Sequence, residues 1–168
     1  MERTLSSDAN KNISSLIWKM ALGSAIAWEI SKFLGSEHPY LAPLSVILCL
    51  QSSFNKTLRL SIRRMMGTIL GIIVTVLIAG HLKINGISLG MLILIGCYVA
   101  KWLKLDRIVI HQVAITILFV FVFEKQSHLY AIDRLRDTFV GVIVIGLIQF
   151  IWFRFIAKEN HLKPKRSS

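Results

Sequence analysis

"RRMMGTILGIIVTVLIAG", residues 63 to 80, decides how the chain is read. Two adjacent arginines lead straight into sixteen residues without a charge, and the apolar run opens on Gly67-Thr68-Ile69-Leu70-Gly71. Arginine avoids hydrocarbon, and glycine is a poor helix former in water. The pairing therefore needs a reason that rules for soluble helices do not supply. A related phrase returns at "RLRDTFVGVIVIGLIQF", residues 134 to 150.

The rest of the chain has the same character. Its 168 residues are 54% hydrophobic and only 17% charged, too little charge to cover the core of a soluble domain of this size. The few charges fall between long apolar blocks, the pattern of a polytopic membrane protein. The net charge of +11 does not point to nucleic acid, because the basic residues occupy short connectors and the C-terminus rather than one amphipathic face. Cys49 and Cys97 sit in apolar runs without metal or redox spacing. No cofactor or metal is expected. Lys19 interrupts the first apolar stretch and Trp28 to Leu34 continue it, so it reads as a retained helix rather than a cleaved signal.

Six apolar blocks follow, near Leu16–Leu34, Tyr40–Leu50, Met65–Ala79, Ile84–Leu103, Ile108–Phe123 and Phe139–Ile156. A helix needs about 20 apolar residues to cross the hydrocarbon. The second block is short and opens on Pro39 and Pro43, so it either spans with help from residues up to Ser53 or re-enters. The expected fold is all-α, with about six transmembrane helices. A segment 1–12 precedes the membrane domain 13–157, and a basic tail 158–168 follows it. Lys56, Arg59, Arg63 and Arg64 in one connector, Lys104 and Arg107 in another, and the basic tail place both termini on the cytoplasmic side of the inner (plasma) membrane. Lys125, Arg134 and Arg136 would then lie outside, against the rule.

A shift of 70 residues aligns Arg64 with Arg134, Thr68 with Thr138 and Gly71 with Gly141. A shift of 69 lays "SKFLG" (31–35) on "AKWLK" (100–104). Two units, about 13–80 and 84–157, would each hold three helices, and an odd number makes them opposite in orientation. Arginine at a helix entrance keeps its guanidinium among headgroups, whereas deeper in a charge costs about 2.5–3.5 kcal/mol. Gly67-x-x-x-Gly71 and Gly86-x-x-x-Gly90 have the spacing that lets helices approach closely. The phrase thus reads first as a cationic anchor beside a packing seam. Attraction of an anionic solute by Arg64 or Arg134 is the sharper alternative.

"HPYLAPLSVILCLQSSFNKTLRLSIRRMMGTILG", residues 38 to 71, resembles the signature region of the FUSC-type integral membrane transporters, which include bacterial aromatic acid exporters. Asp133-Arg134-x-x-Asp137-Thr138-x-x-Gly141 is similar to the family's later element, and the resemblance covers roughly residues 13 to 156. It implies a six-helix inner-membrane module that associates with other copies or related subunits and exports organic acids, aromatic carboxylates among them. Many members carry a sizeable soluble helical region after the membrane module, and this chain stops about a dozen residues after its last block.

The remaining polar residues in apolar blocks are candidates for a solute path. Glu29 and Lys32, one turn apart, form either a compensating interfacial pair or, through Glu29, a proton-coupling carboxylate. His111 either donates to a carbonyl at the membrane interface or titrates in a path. Gln149, midway along the last block, must find a partner, more often another helix than a solute. Lys19 is expected to snorkel. No nucleophile elbow, zinc-protease motif or phosphate loop is present, so no enzyme is expected. The leading expectation is an exporter of small organic anions, or a subunit of one. A non-transporting assembly or envelope-homeostasis protein is the alternative.

Overall fold

The computed structural model describes residues 2–51, 53–79, 85–123 and 129–162, with side chains for 13–51, 53–78, 85–123, 129–152 and 154. Six helices follow in order: α1 Glu2–Phe33, α2 Leu41–Cys49, α3 Phe54–Ala79, α4 Gly86–Trp102, α5 Arg107–Phe123 and α6 Tyr130–Leu162. There is no strand among the described residues. The connector around Lys125 and Ser127, Lys83 and the end of the tail lie outside the described residues.

Helix polarity is inverted relative to a water-soluble bundle. Along α3, Leu58, Ile62, Met66, Ile69, Ile73 and Leu77 face outward, while Thr57, Ser61, Arg64, Thr68 and Thr75 are buried. Along α6, Ile132, Phe139, Ile143 and Leu147 face outward, while Asp133, Arg134, Asp137, Thr138 and Gln149 are buried. In water this would strand apolar surface outside and desolvated polar groups inside; against lipid the apolar face has a suitable solvent. Phe54–Ile78 and Tyr130–Trp152 are long and apolar enough to cross a membrane, while α4 and α5 are shorter apolar helices.

Three helices outrun the apolar blocks: α1 begins at Glu2 rather than Leu16, and α6 runs on to Leu162 past Ile156. Two further starts differ because apolarity alone marks the expected bounds. α3 and α6 start well before Met65 and Phe139, since their first turns carry polar residues that face inward. Lys56, Arg59, Arg63 and Arg64 therefore stand on a helix rather than in a connector. α2 has nine residues, about 14 Å at 1.5 Å per residue, and cannot by itself cross about 30 Å of hydrocarbon. It ends where Leu50 turns extended, at ψ 126°.

The two halves of the chain use the same local structures. α1 closes with Ser36 N–H donating to Ser31 O (3.1 Å) and Gly35 N–H to Lys32 O (3.0 Å), with Gly35 at φ +78°. α4 closes with Leu105 N–H donating to Ala100 O (3.1 Å) and Lys104 N–H to Lys101 O (2.9 Å), with Lys104 at φ 55°. Both are Schellman caps, and they fall on the two aligned phrases "SKFLG" and "AKWLK". α3 packs chiefly on α5, and α6 on α2, so each unit's third helix lies against the other unit's second.

Two expectations on packing separate. Gly67, Gly71 and Gly141 are buried at helix contacts. Gly86 and Gly90 are exposed, with nothing within 4 Å of an added Cβ, so they form no seam within this chain. They sit in the first turns of α4, on a face with no neighbour among the described residues. Sequence spacing marks a possible close approach, not the helix that makes it.

Candidate functional site

The site is built on the glycine contacts. A Cβ at Gly71 would stand 2.7 Å from Thr116 Cβ and 3.1 Å from the Val113 carbonyl oxygen. At Gly141 it would run into the Ala42 carbonyl oxygen and stand 2.6 Å from Ser45 Cβ. The contacts match in kind, with Val113 corresponding to Ala42 and Thr116 to Ser45. Such backbone approach turns the polar side chains of α3 and α6 toward each other in the bundle interior.

Two arginines meet there. Arg64 is 3% exposed; its Nε donates to Ser45 Oγ (3.2 Å) and its Nη1 to Gln112 Oε1 (3.0 Å). Gln112 Nε2 in turn lies 3.4 Å from Thr116 Oγ1. Gln112 fits because Gly67 has no side chain: an added Cβ would be 2.6 Å from Gln112 Cβ. Arg134 is 0% exposed, and none of its three guanidinium nitrogens has a hydrogen-bond partner. Its Cζ stands 4.8 Å over the Phe119 ring, and Tyr130 and Tyr40 are its electrostatic neighbours. The position matching Gln112 on α2 is Leu41, which accepts nothing. The two guanidinium charges are close enough to repel. No carboxylate lies within ion-pair distance of either among the described residues.

Aspartates on α6 bind the α1–α2 corner instead. Asp137 accepts from Ser31 Oγ and Ser36 Oγ, both at 2.6 Å. Asp133 Oδ2 lies 3.1 Å from His38 Nδ1 and accepts the Glu37 N–H (3.2 Å), while Oδ1 accepts from Arg136 (3.3 Å). Glu37, His38 and Asp133 bring three potential ligand atoms within 4.8 Å, the one grouping among the described residues with a metal-compatible arrangement. Both oxygens of Asp133 are already engaged, so the cluster acts as a joint. The other unit has an equivalent joint of reversed charge, where Arg63 on α3 pairs with Asp106 after α4.

A third polar group lies near the start of α3. Lys19 Nζ is 3.5 Å from Gln149 Oε1 and 4.6 Å from the Trp152 ring, and Lys19 is buried instead of snorkelling. Gln149 Nε2 donates to Gln51 O and to Thr57 Oγ1 (3.2 Å).

A cavity of about 330 Å³ opens beside Arg64, walled by Leu48, Cys49, Leu60, Ile108, His111, Gln112 and Ile115. Leu60 and Ile108 also line a neighbouring hollow of about 260 Å³ with Lys56, Arg59 and Arg63. A further one of about 300 Å³ adds Lys104. A rim that is basic apart from Asp106, which pairs with Arg63, thus adjoins an apolar chamber with a guanidinium on its wall.

Of the residues expected on a solute path, Arg64 and Arg134 come together in the interior, which overturns the headgroup anchor. Their guanidinium groups turn inward because the helices start earlier than the apolar runs. Thr68 and Thr138 are fully buried beside them, and Thr138 Oγ1 donates back to Arg134 O (2.7 Å). Gln149 is buried as a link between helices. His111 is exposed and bonded to the Arg107 carbonyl (2.7 Å), while its ring also lines the chamber. Glu29 is exposed, away from the site, and makes no ion pair with Lys32. The carboxylates that matter are Asp133 and Asp137, which stand inside the quoted motif. A comparison of Asp137 with its repeat counterpart Gly67 would have singled it out.

Apolar outer faces around an interior that holds two arginines and two aspartates suit a helical protein in contact with lipid. The family model described as fusaric acid resistance protein-like matches residues 26–148, and the chain belongs to that membrane family. No curated protein and no solved structure matches the chain.

Proposed function

We propose that this protein is a multi-pass transporter, or transport subunit, of the inner membrane that moves small organic anions, aromatic carboxylates among them. The observation that carries the reading is the pair of repeat-related buried arginines without a carboxylate partner. A buried guanidinium is costly unless paired, and an anionic solute would supply the missing charge. The chamber beside Arg64 suits an anion with an apolar body, and the basic rim would raise its local concentration. Matching caps, matching glycine contacts and reversed-charge joints support two three-helix units of inverted orientation, with α2 a half-length member. Both termini would face the cytoplasm. The family match supports transport and leaves the solute open. No covalent chemistry is assigned to any residue.

Reconstitution in liposomes tests this. Efflux of a hydroxybenzoate should exceed that of empty vesicles and be lost in Arg64→Gln. Absence of flux across a panel of organic acids would remove the reading. Single cysteines at Ser53 and Ser127, in a background without Cys49 and Cys97, should label from the inner and outer side respectively.

A non-transporting assembly role has one observation in its favour, the exposed Gly86 and Gly90 face of α4, which suits close contact with a second copy. Leucine at Gly86 would then abolish association, while Arg64→Gln would leave association and function unchanged.

A further inference from the structure

Arg134 and Asp137 stand one turn apart on α6, the spacing at which opposite charges pair on a helix. They do not pair. Both carboxylate oxygens are turned to the α1 corner, one to Ser31 and the other to Ser36. All three guanidinium nitrogens lack an acceptor at full hydrogen-bond geometry in a fully desolvated setting, the Tyr130 phenol interacting without reaching it. A charged group in this state strongly favours any rearrangement that brings it an anion.

The other unit shows that this arrangement is a set. The position of Asp137 is held there by Gly67, and the positions of Ser31 and Ser36 by Ala100 and Leu105. The arginine of that unit has two neutral partners, Gln112 and Ser45, and leaves Nη2 alone without one. One repeat therefore has carboxylate and serines together, and the other has neither. Arg64 has fixed neutral ligands, whereas Arg134 has a charge one turn away, restrained by a different element.

The restraint can be released as a unit. Ser36 lies in the Schellman cap of α1, its N–H bonded to Ser31 O and its Oγ accepting the His38 N–H (3.1 Å). Movement of this corner relative to α6 would withdraw both serines at once. We propose that Asp137 is the displaceable counter-ion of Arg134, and that the Ser31–Ser36 clamp holds it away so that the guanidinium can take the carboxylate of a small monoanion. With the clamp open, Asp137 takes the guanidinium and competes the solute off. The nature of the occupant rests on the transport reading above; the exchange between Asp137 and Arg134 does not.

A solute-free measurement decides the exchange. Unfolding temperatures in detergent are measured for Arg134→Gln, Asp137→Asn and the double variant, in the wild-type and Ser31→Ala/Ser36→Ala backgrounds. The two effects should add with the clamp present and couple by about 3 °C or more without it. Arg134→Met completes the same cycle if Arg134→Gln does not fold. Additivity in both backgrounds overturns the proposal. Benzoate binding gives the second arm: the clamp variant should bind about tenfold more weakly, and adding Asp137→Asn should restore it. Unchanged binding in the clamp variant, or no rescue, also overturns it. If wild-type protein binds no organic acid, the transport reading fails, and the thermal cycle still decides the counter-ion.

Discussion

At the scale of single residues, backbone sign and charge burial make the sharpest statements. Lys104 occupies a left-handed cap position that its repeat counterpart fills with glycine. An L-residue there costs roughly 1–2 kcal/mol, so Lys104→Gly should raise stability by about 1 kcal/mol in thermal unfolding, and Gly35→Ala should lower it. Arg134 is the opposite case, a charge retained against stability. Replacing a buried ionic group with an apolar one of similar volume is often neutral or stabilising by about 1–4 kcal/mol. Arg134→Met should therefore unfold at the same or higher temperature while losing anion flux, and a large loss of stability would show Arg134 to be a structural tie. The sequence displayed Arg64, Arg134 and Thr138 as a repeated motif but not their burial, because whether a cation snorkels depends on which way its helix turns.

At the scale of elements, glycine spacing has meaning only where a neighbour exists. A Cβ at Gly141 meets a backbone carbonyl, which cannot move aside as a flexible side chain does. Gly141→Ala should cost at least about 1–3 kcal/mol as overpacking. Gly86→Ala, with open space around it, should be neutral or stabilising by about 0.5–1 kcal/mol through helix propensity. Unfolding temperatures of the two variants in one detergent check the contrast, and equal effects would contradict the packing described. Six helices were legible as apolar blocks. The early starts of α3 and α6 were not, because residues such as Thr57, Ser61 and Asp133 are polar and face inward, where an apolarity count scores them as connector.

At the scale of the molecule, the charges divide into a rim and an interior. Lys56, Arg59, Arg63 and Lys104 line the outer hollows, where salt screens them over a Debye length of about 8 Å at physiological ionic strength. Neutralising Lys56 and Arg59 together should weaken apparent anion affinity at low ionic strength and have little effect at high ionic strength. Arg64→Gln should weaken it at both, since a buried charge is screened far less. A uniform response of the rim variant to salt would show that the rim does not steer the solute.

The sequence alone determined the helical class and displayed the apolar runs, the glycine spacing and the motifs that return at a constant interval, because each is a property of order along the chain. Only the tertiary structure decided that α3 lies on α5 and α6 on α2, that Leu41 stands where Gln112 would be needed, and that Asp137 is taken by serines about a hundred residues away. Those are facts of pairing between distant segments. Identical motifs in the two units enter different surroundings, and it is the surroundings that give one arginine two neutral hydrogen-bond partners and the other none at full geometry.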